Sequence, residues 1–101
     1  MYRSHNCGEL RIKHVGLEVK LSGWIHKIRD KGSLIWIDLR DRYGITQIIV
    51  DTNESSKNLV EQVKKVGREY VISVKGMVKE RESKNPNIGT GDVEITLQEL
   101  E

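Results

Sequence analysis

The indole of Trp36 is the first candidate for chemistry in this sequence. In "GSLIWIDLRDRYGITQIIV", Gly32 to Val50, the residues Ile35, Ile37 and Leu39 alternate and can fill one face of a core. Trp36 is then expected to point the opposite way, beside Asp38 and Arg40. Other polar residues fall outside the expected core in the same manner: His26, Lys27 and Arg29, then Gln47, then Lys79, Arg81, Asn85 and Glu94. Together they amount to one aromatic plate, several cations and a set of hydrogen-bonding groups.

That mixture suits single-stranded nucleic acid. Bases offer flat faces for stacking, worth roughly 1–3 kcal/mol each. Phosphates attract Lys and Arg in a salt-dependent way. Choice among sequences needs hydrogen bonds to exposed base edges, which Arg29, Gln47, Asn85 and Glu94 can make. A carboxylate repels phosphate, so Glu94 facing the ligand would accept a hydrogen bond from a base amino or imino group.

Plainer readings stand beside this one. Trp36 can equally be covered by a loop or another domain, and Trp24 reads as structural. Lys79 and Arg81 lie among Glu80 and Glu82 and read equally as a solvated charged face. Asp38, Arg40, Asp41 and Arg42 alternate in sign, and an internal salt-bridge network fixing the turn is expected there. His5, His14 and His26 have no metal-ligand spacing, and Cys7 has no evident base partner to make it a nucleophile. The sequence has no glycine-rich phosphate loop and no Ser/His/Asp set in a supporting context. It reads as a binding module without a catalytic site, a cofactor or a metal of its own.

Strands must position these groups. Val19, Leu21 and Ile25, with Leu17 and Gly23, form the inward face of a first strand, and Gly23 predicts a bulge or bend. The turn "KGS", Lys31 to Ser33, leads into a strand over Leu34–Arg40, and "DRYG" leads into another over Ile45–Asp51 with Thr46, Ile48 and Val50 inward. The period then changes. Leu59, Val63 and Val66 recur at helical spacing, with Asn53 or Ser55 as cap and Gly67 closing the end in a left-handed conformation. Alternation returns with Tyr70, Ile72, Val74, Gly76 and Val78 on one face of a fourth strand. "SKNPNIGTG" predicts a polar, mobile loop, and Val93, Ile95 and Leu97 face inward on a fifth strand. Five strands with a helix between strands three and four predict an all-β OB-fold, a partly open Greek-key barrel.

Bulk properties set bounds. The 101 residues predict one domain, residues 1–101, with a modest core. Seventeen Lys plus Arg against 15 Asp plus Glu give a net charge of +2, so the placement of charge must decide the partner. A single cysteine excludes an internal disulfide. No apolar run approaches a membrane span and no signal region begins the chain, which predicts a cytoplasmic domain without a membrane partner.

Specific motifs carry a resemblance over nearly the whole chain. "CGELR", "HVG", "V-x-L-x-GW", "RD-x-G-x-L-x-x-IDLRDR-x-GITQ", "G-x-V-x-x-R" and "TG-x-x-E" resemble the start of bacterial-type aspartyl-tRNA synthetases. "GW" and "IDLRD" alone also occur in the related asparaginyl and lysyl enzymes. The resemblance implies an N-terminal OB-fold that grips the anticodon stem-loop of tRNA(Asp), whose anticodon is GUC. It places Trp36 where an aromatic, usually phenylalanine, stacks on the middle uridine, and Gln47 where a glutamine reads that uridine. Arg29 matches an arginine near the anticodon bases. Lys79 and Arg81 stand where the family commonly has two arginines. Asn85 and Glu94 match polar residues near the first and third bases, with His26, Lys27 and Lys31 as further backbone or discrimination contacts. Lys31 replaces a common leucine, and the loop over residues 82–90 is shortened and holds Pro86.

By the same resemblance, the family continues past Glu101 into a hinge and a class II catalytic domain with the ATP, aspartate and magnesium sites. That domain makes the homodimer, so this part alone is expected to be a monomer without ligase activity. Charging of tRNA(Asn) beside tRNA(Asp) stays open. So do an asparaginyl or lysyl relative, a stand-alone single-strand binder, and a domain whose outward face docks on another protein.

Overall fold

Alternating apolar residues build five strands, and burial of their inward side chains closes them into a barrel. The computed structural model describes residues 3–100; residues 1, 2 and 101 of the expected domain lie outside the described residues. The strands are β1 (Glu18–Asp30), β2 (Leu34–Asp41), β3 (Gly44–Asp51), β4 (Val71–Glu80) and β5 (Val93–Leu100). One helix, α1 (Lys57–Lys65), lies between β3 and β4, as the change of period predicts. The order around the barrel is β1-β2-β3-β5-β4. A short parallel pairing of β3 with β5, Ile48 to Ile95 and Ile49 to Thr96, shuts it. The barrel is therefore closed, where a partly open one was expected.

The interior holds Val19, Leu21, Ile25, Ile35, Ile37, Leu39, Ile48, Val50, Val74, Val93 and Ile95, all at or below 1% exposure. Full burial of such a side chain is worth about 1.5–3 kcal/mol, so this packing dominates the stability. Two expected members are absent. Leu17 and Tyr70 precede their strands and are about half exposed.

β1 serves both halves of the barrel. Its first half pairs with β4 and its second with β2, changing partner at Trp24. Gly23 sits at this crossing, where a β-carbon would lie 2.3 Å from the Arg40 carbonyl oxygen. The bulge itself falls later: the register slips between Ile25 and Lys27, with His26 as the extra residue. Beyond the slip Ile28 faces Ile37 and packs on the core, while Arg29 pairs with Trp36.

The helix is capped by Ser56, whose Oγ accepts a hydrogen bond from the Leu59 amide, and not by Asn53 or Ser55. Such a cap is worth about 1 kcal/mol. Asn53 instead takes part in a turn held by Asp51. Gly67 does not adopt the left-handed conformation; Glu69, with φ 72°, does. Leu59 and Val63 plug the barrel end, and Gln62 Nε2 donates to the Leu100 carbonyl at 3.3 Å.

The charged run at the end of β2 works through one residue. Asp41 Oδ1 accepts from the Tyr43 and Gly44 amides at 2.8 and 3.1 Å, and Oδ2 accepts from the Cys7 amide at 2.8 Å. Arg3 adds an ion pair at 3.7 Å. The expected network within Asp38, Arg40, Asp41 and Arg42 does not form among the described residues; backbone donors take its place. The expected mobile loop is likewise tied. The Asn85 amide donates to the Gly91 carbonyl at 2.9 Å, and Thr90 Oγ1 donates to the Ile45 carbonyl. A β-carbon at Gly91 would fall 1.6 Å from the Asn85 carbonyl oxygen. No described helix is long and apolar enough to cross a membrane.

Cys7 is fully buried between this turn and the Ser22 carbonyl. Burial, then the neighbouring Asp41 carboxylate, pushes its thiol far above the ordinary 9.0. A raised folded pKa gives stability that is complete below pH 9 and is lost as pH rises above it. Relative to Cys7→Ala, the protein should thus lose about 1.4 kcal/mol per pH unit above pH 9. Urea unfolding at pH 8 to 10.5 checks this; parallel pH profiles for the two proteins would refute it.

Candidate nucleic-acid interface

Two outward rows cross the barrel wall. The strand register sets the first as Arg29, Trp36, Ile49, Thr96 and Met77. One step along the strands, Lys27 faces Asp38, Asp38 faces Gln47, and Lys79 faces Glu94. From these rows Arg29, Trp36, Ile49, Thr96, Gln47, Lys79 and Glu94 line a recess of about 710 Å³. Its rim comes from the end of β4 and the segment that follows, including Arg81 and Ser83.

Six residues singled out in the sequence line this one recess: Arg29, Trp36, Gln47, Lys79, Arg81 and Glu94. The bulge makes this possible for Arg29. Strict alternation from Ile25 would have turned it into the barrel. Its guanidinium carbon instead lies 5.5 Å from the centre of the Trp36 ring. A cation over the indole fixes both side chains, and the indole stays partly exposed.

Gln47 and Glu94 point to the recess but are sunk into its floor, at 6% and 7% exposure. Gln47 Nε2 donates to Glu94 Oε1 at 2.8 Å. Lys79 Nζ lies 3.5 Å from Glu94 Oε2. With its amino group held by Glu94, Gln47 presents its carbonyl oxygen as the free group. No buried side-chain oxygen lacks a partner among the described residues, so that oxygen reaches solvent. The floor therefore offers an oriented acceptor beside a stacking surface.

The recess is not cationic as a whole. Arg29, Lys79 and Arg81 are offset by Asp51, Glu80, Glu82 and Glu94. Glu80 is partly satisfied by Lys84 at 2.7 Å, a contact that raises the lysine pKa. Such a recess offers a ring face and hydrogen-bonding groups more than net positive charge.

The other sequence candidates lie elsewhere. Asn85 does not line the recess; its side-chain oxygen accepts from the Asn87 amide at 3.0 Å within the loop. His26 and Lys27 sit at and after the bulge, and Lys31 is exposed in the β1–β2 turn, all outside the recess lining. Sequence reasoning missed Ile49 and Thr96 as recess residues. Both follow from the β3–β5 pairing, which alternation within single strands does not reveal.

Comparison with known proteins places this geometry. The tRNA anticodon family model, described as an OB-fold nucleic acid binding domain, matches residues 19–101. The chain is 57% identical over 100 residues to an aspartate–tRNA ligase of Flavobacterium psychrophilum, covering 99% of this chain. It is 51% identical over 102 residues to an aspartate–tRNA(Asp/Asn) ligase of a Chelativorans species, again covering 99% of this chain. It spans 17% of the length of each of these relatives. Among solved structures, asparaginyl-tRNA synthetase from Pyrococcus horikoshii superposes with a TM-score of 0.83 at 32% identity, covering all of this chain and 22% of that one.

The Glu94 contacts predict two different substitution costs. Glu94→Ala leaves Gln47 Nε2 without its acceptor in a nearly closed floor and should cost about 1–3 kcal/mol. Glu94→Gln retains an acceptor and loses only a pair to a half-exposed lysine, so about 0–1 kcal/mol is expected. Urea midpoints at constant m-value separate the two; equal losses would contradict the assigned hydrogen bond.

Proposed function

The chain belongs to the tRNA anticodon family of OB-fold nucleic acid binding domains, and on that footing we propose that it is the anticodon-reading domain of an aspartate–tRNA ligase. The observation that carries the reading is the shared recess: indole, guanidinium, oriented glutamine and buried carboxylate on one wall. Names borne by relatives across nearly all of this chain supply the amino acid.

In this reading Trp36 stacks on the middle uridine of the GUC anticodon. Gln47 Oε1 accepts a hydrogen bond from the imino N–H of that uridine. Cytosine has no such proton, so the oriented amide favours uridine at this position. Glu94 holds Gln47 in that orientation and can accept a further bond from a base amino group. Arg29, Lys79 and Arg81 compensate phosphate charge near the bases. Asn85 keeps its amino group for a first or third base, while His26, Lys27 and Lys31 lie at the margin for backbone contacts.

The ligase chemistry belongs to the remainder of a whole enzyme. There ATP with magnesium activates aspartate, a homodimer forms, and the reaction takes place in the cytoplasm. This domain contributes affinity and choice of tRNA. Relatives bear both the aspartate and the Asp/Asn names, so charging of tRNA(Asn) is decided by assay of the full enzyme on purified tRNA(Asp) and tRNA(Asn).

Binding to a GUC hairpin and to a scrambled hairpin at fixed salt tests the domain itself. The GUC hairpin should bind more tightly, and Trp36→Ala should weaken it by about 1–3 kcal/mol. Equal affinity for the two hairpins, or an unchanged affinity in a folded Trp36→Ala variant, would defeat this reading.

A further inference from the structure

A second recess, of about 470 Å³, opens where the N-terminal segment meets the β2–β3 turn. Arg11, Arg40 and Arg42 line it, with Tyr43, Gly89 and Thr90. We infer that this recess binds backbone phosphates of the same RNA whose bases occupy the first. The inference rests on the RNA reading above and adds a contact that reading does not contain.

The charge balance is the first argument. The base recess carries more carboxylates than cations, so it supplies little net attraction for a polyanion. The second recess has one acid, Asp41, and that acid is spent. Its oxygens accept three backbone amides and pair with Arg3. Arg11, Arg40 and Arg42 have no carboxylate partner among the described residues. Three uncompensated guanidinium groups around one hollow form an anion site with the forked donors that phosphate favours.

The site is also built. Close approach of Gly8 to Gly44 joins the N-terminal segment to the turn; a β-carbon on Gly8 would lie 2.2 Å from the Tyr43 carbonyl oxygen. Arg11 Nη1 donates to the Gly8 and Leu10 carbonyls at 2.9 and 2.8 Å, which fixes its head. Gly89 leaves room for it: a β-carbon there would come 3.0 Å from Arg11 Nη2. Arg42 lies 5.9 Å from the Tyr43 ring centre.

Position selects RNA over other anions. Arg40 is four residues from Trp36 on the same outward side of β2, about 13 Å along the strand. One strand can lay bases in the first recess and phosphates in the second. Asp38 lies between them, facing Lys27 across the sheet.

The test is a salt titration of hairpin binding by the whole chain and by the exposed pair Arg40→Gln with Arg42→Gln. The double variant should bind GUC and scrambled hairpins more weakly by the same factor. Its slope of log affinity against log salt should flatten by about 0.7–0.9 for each phosphate left without its guanidinium. The GUC preference should stay as in the parent. Arg40→Lys with Arg42→Lys should restore most of the slope. An unchanged slope and affinity in the glutamine variant, with an unchanged urea midpoint, would overturn the inference while leaving the anticodon reading intact. Loss of the GUC preference alone would also overturn it, since phosphate contacts carry no sequence. A flattened slope in a protein that never preferred GUC would support the phosphate recess and defeat the anticodon reading. No hairpin binding even at low salt would end both.

Discussion

One inserted residue decides which way the second half of β1 faces. Without the slip at His26, Lys27 and Arg29 would point into an apolar interior and Ile28 would point to water. Burying two unpaired cations would cost far more than the barrel's modest core returns. The bulge gives up one place in the ladder and recovers both the packing of Ile28 and the pairing of Arg29 with Trp36. Packing of Ile28 on the core and composition of the outer wall thus share a cause.

On that wall the unusual element is a carboxylate placed where RNA would sit. Glu94 is nearly closed off from water, which is tolerable because Gln47 and Lys79 both address it. Its effect is to orient a neutral group. An amide free to flip offers a donor or an acceptor at random; one whose amino group is held presents its acceptor in a fixed place. Selectivity of this kind comes from rigidity in the protein more than from added attraction.

Much of this was legible in the sequence because strands alternate and helices do not. The inward sets of β2 and β5, the helix between β3 and β4, and the outward Trp36 follow from period; in β3 both faces are partly apolar, and the polarity of Gln47 selects Thr46, Ile48 and Val50 as inward. Strand ends were not legible: Leu17 and Tyr70 continue the apolar pattern but lie beyond the paired ladder. Caps were misplaced by a residue or more because Asn53, Ser55 and Ser56 are all competent acceptors, and only the path out of β3 selects Ser56. The charged run at the end of β2 looks self-compensating, yet three backbone amides compete better for Asp41 than its neighbours do. Asn85 was singled out by motif but is drawn into its own turn. The arginine recess was invisible, since Arg11, Arg40 and Arg42 meet only through the Gly8–Gly44 contact.

The segment between β4 and β5 borders both recesses. Its first residues, Arg81 to Ser83, rim the Trp36 recess, and its last, Ile88 to Thr90, wall the arginine recess. Surface connections usually drift in length at little cost. Here an insertion would move two walls at once and change the path a bound strand can follow between them. Transplanting this hairpin from a relative with different base preference would therefore import that relative's spacing as well, and length changes in it should evolve together with the guanidinium residues across the hollow.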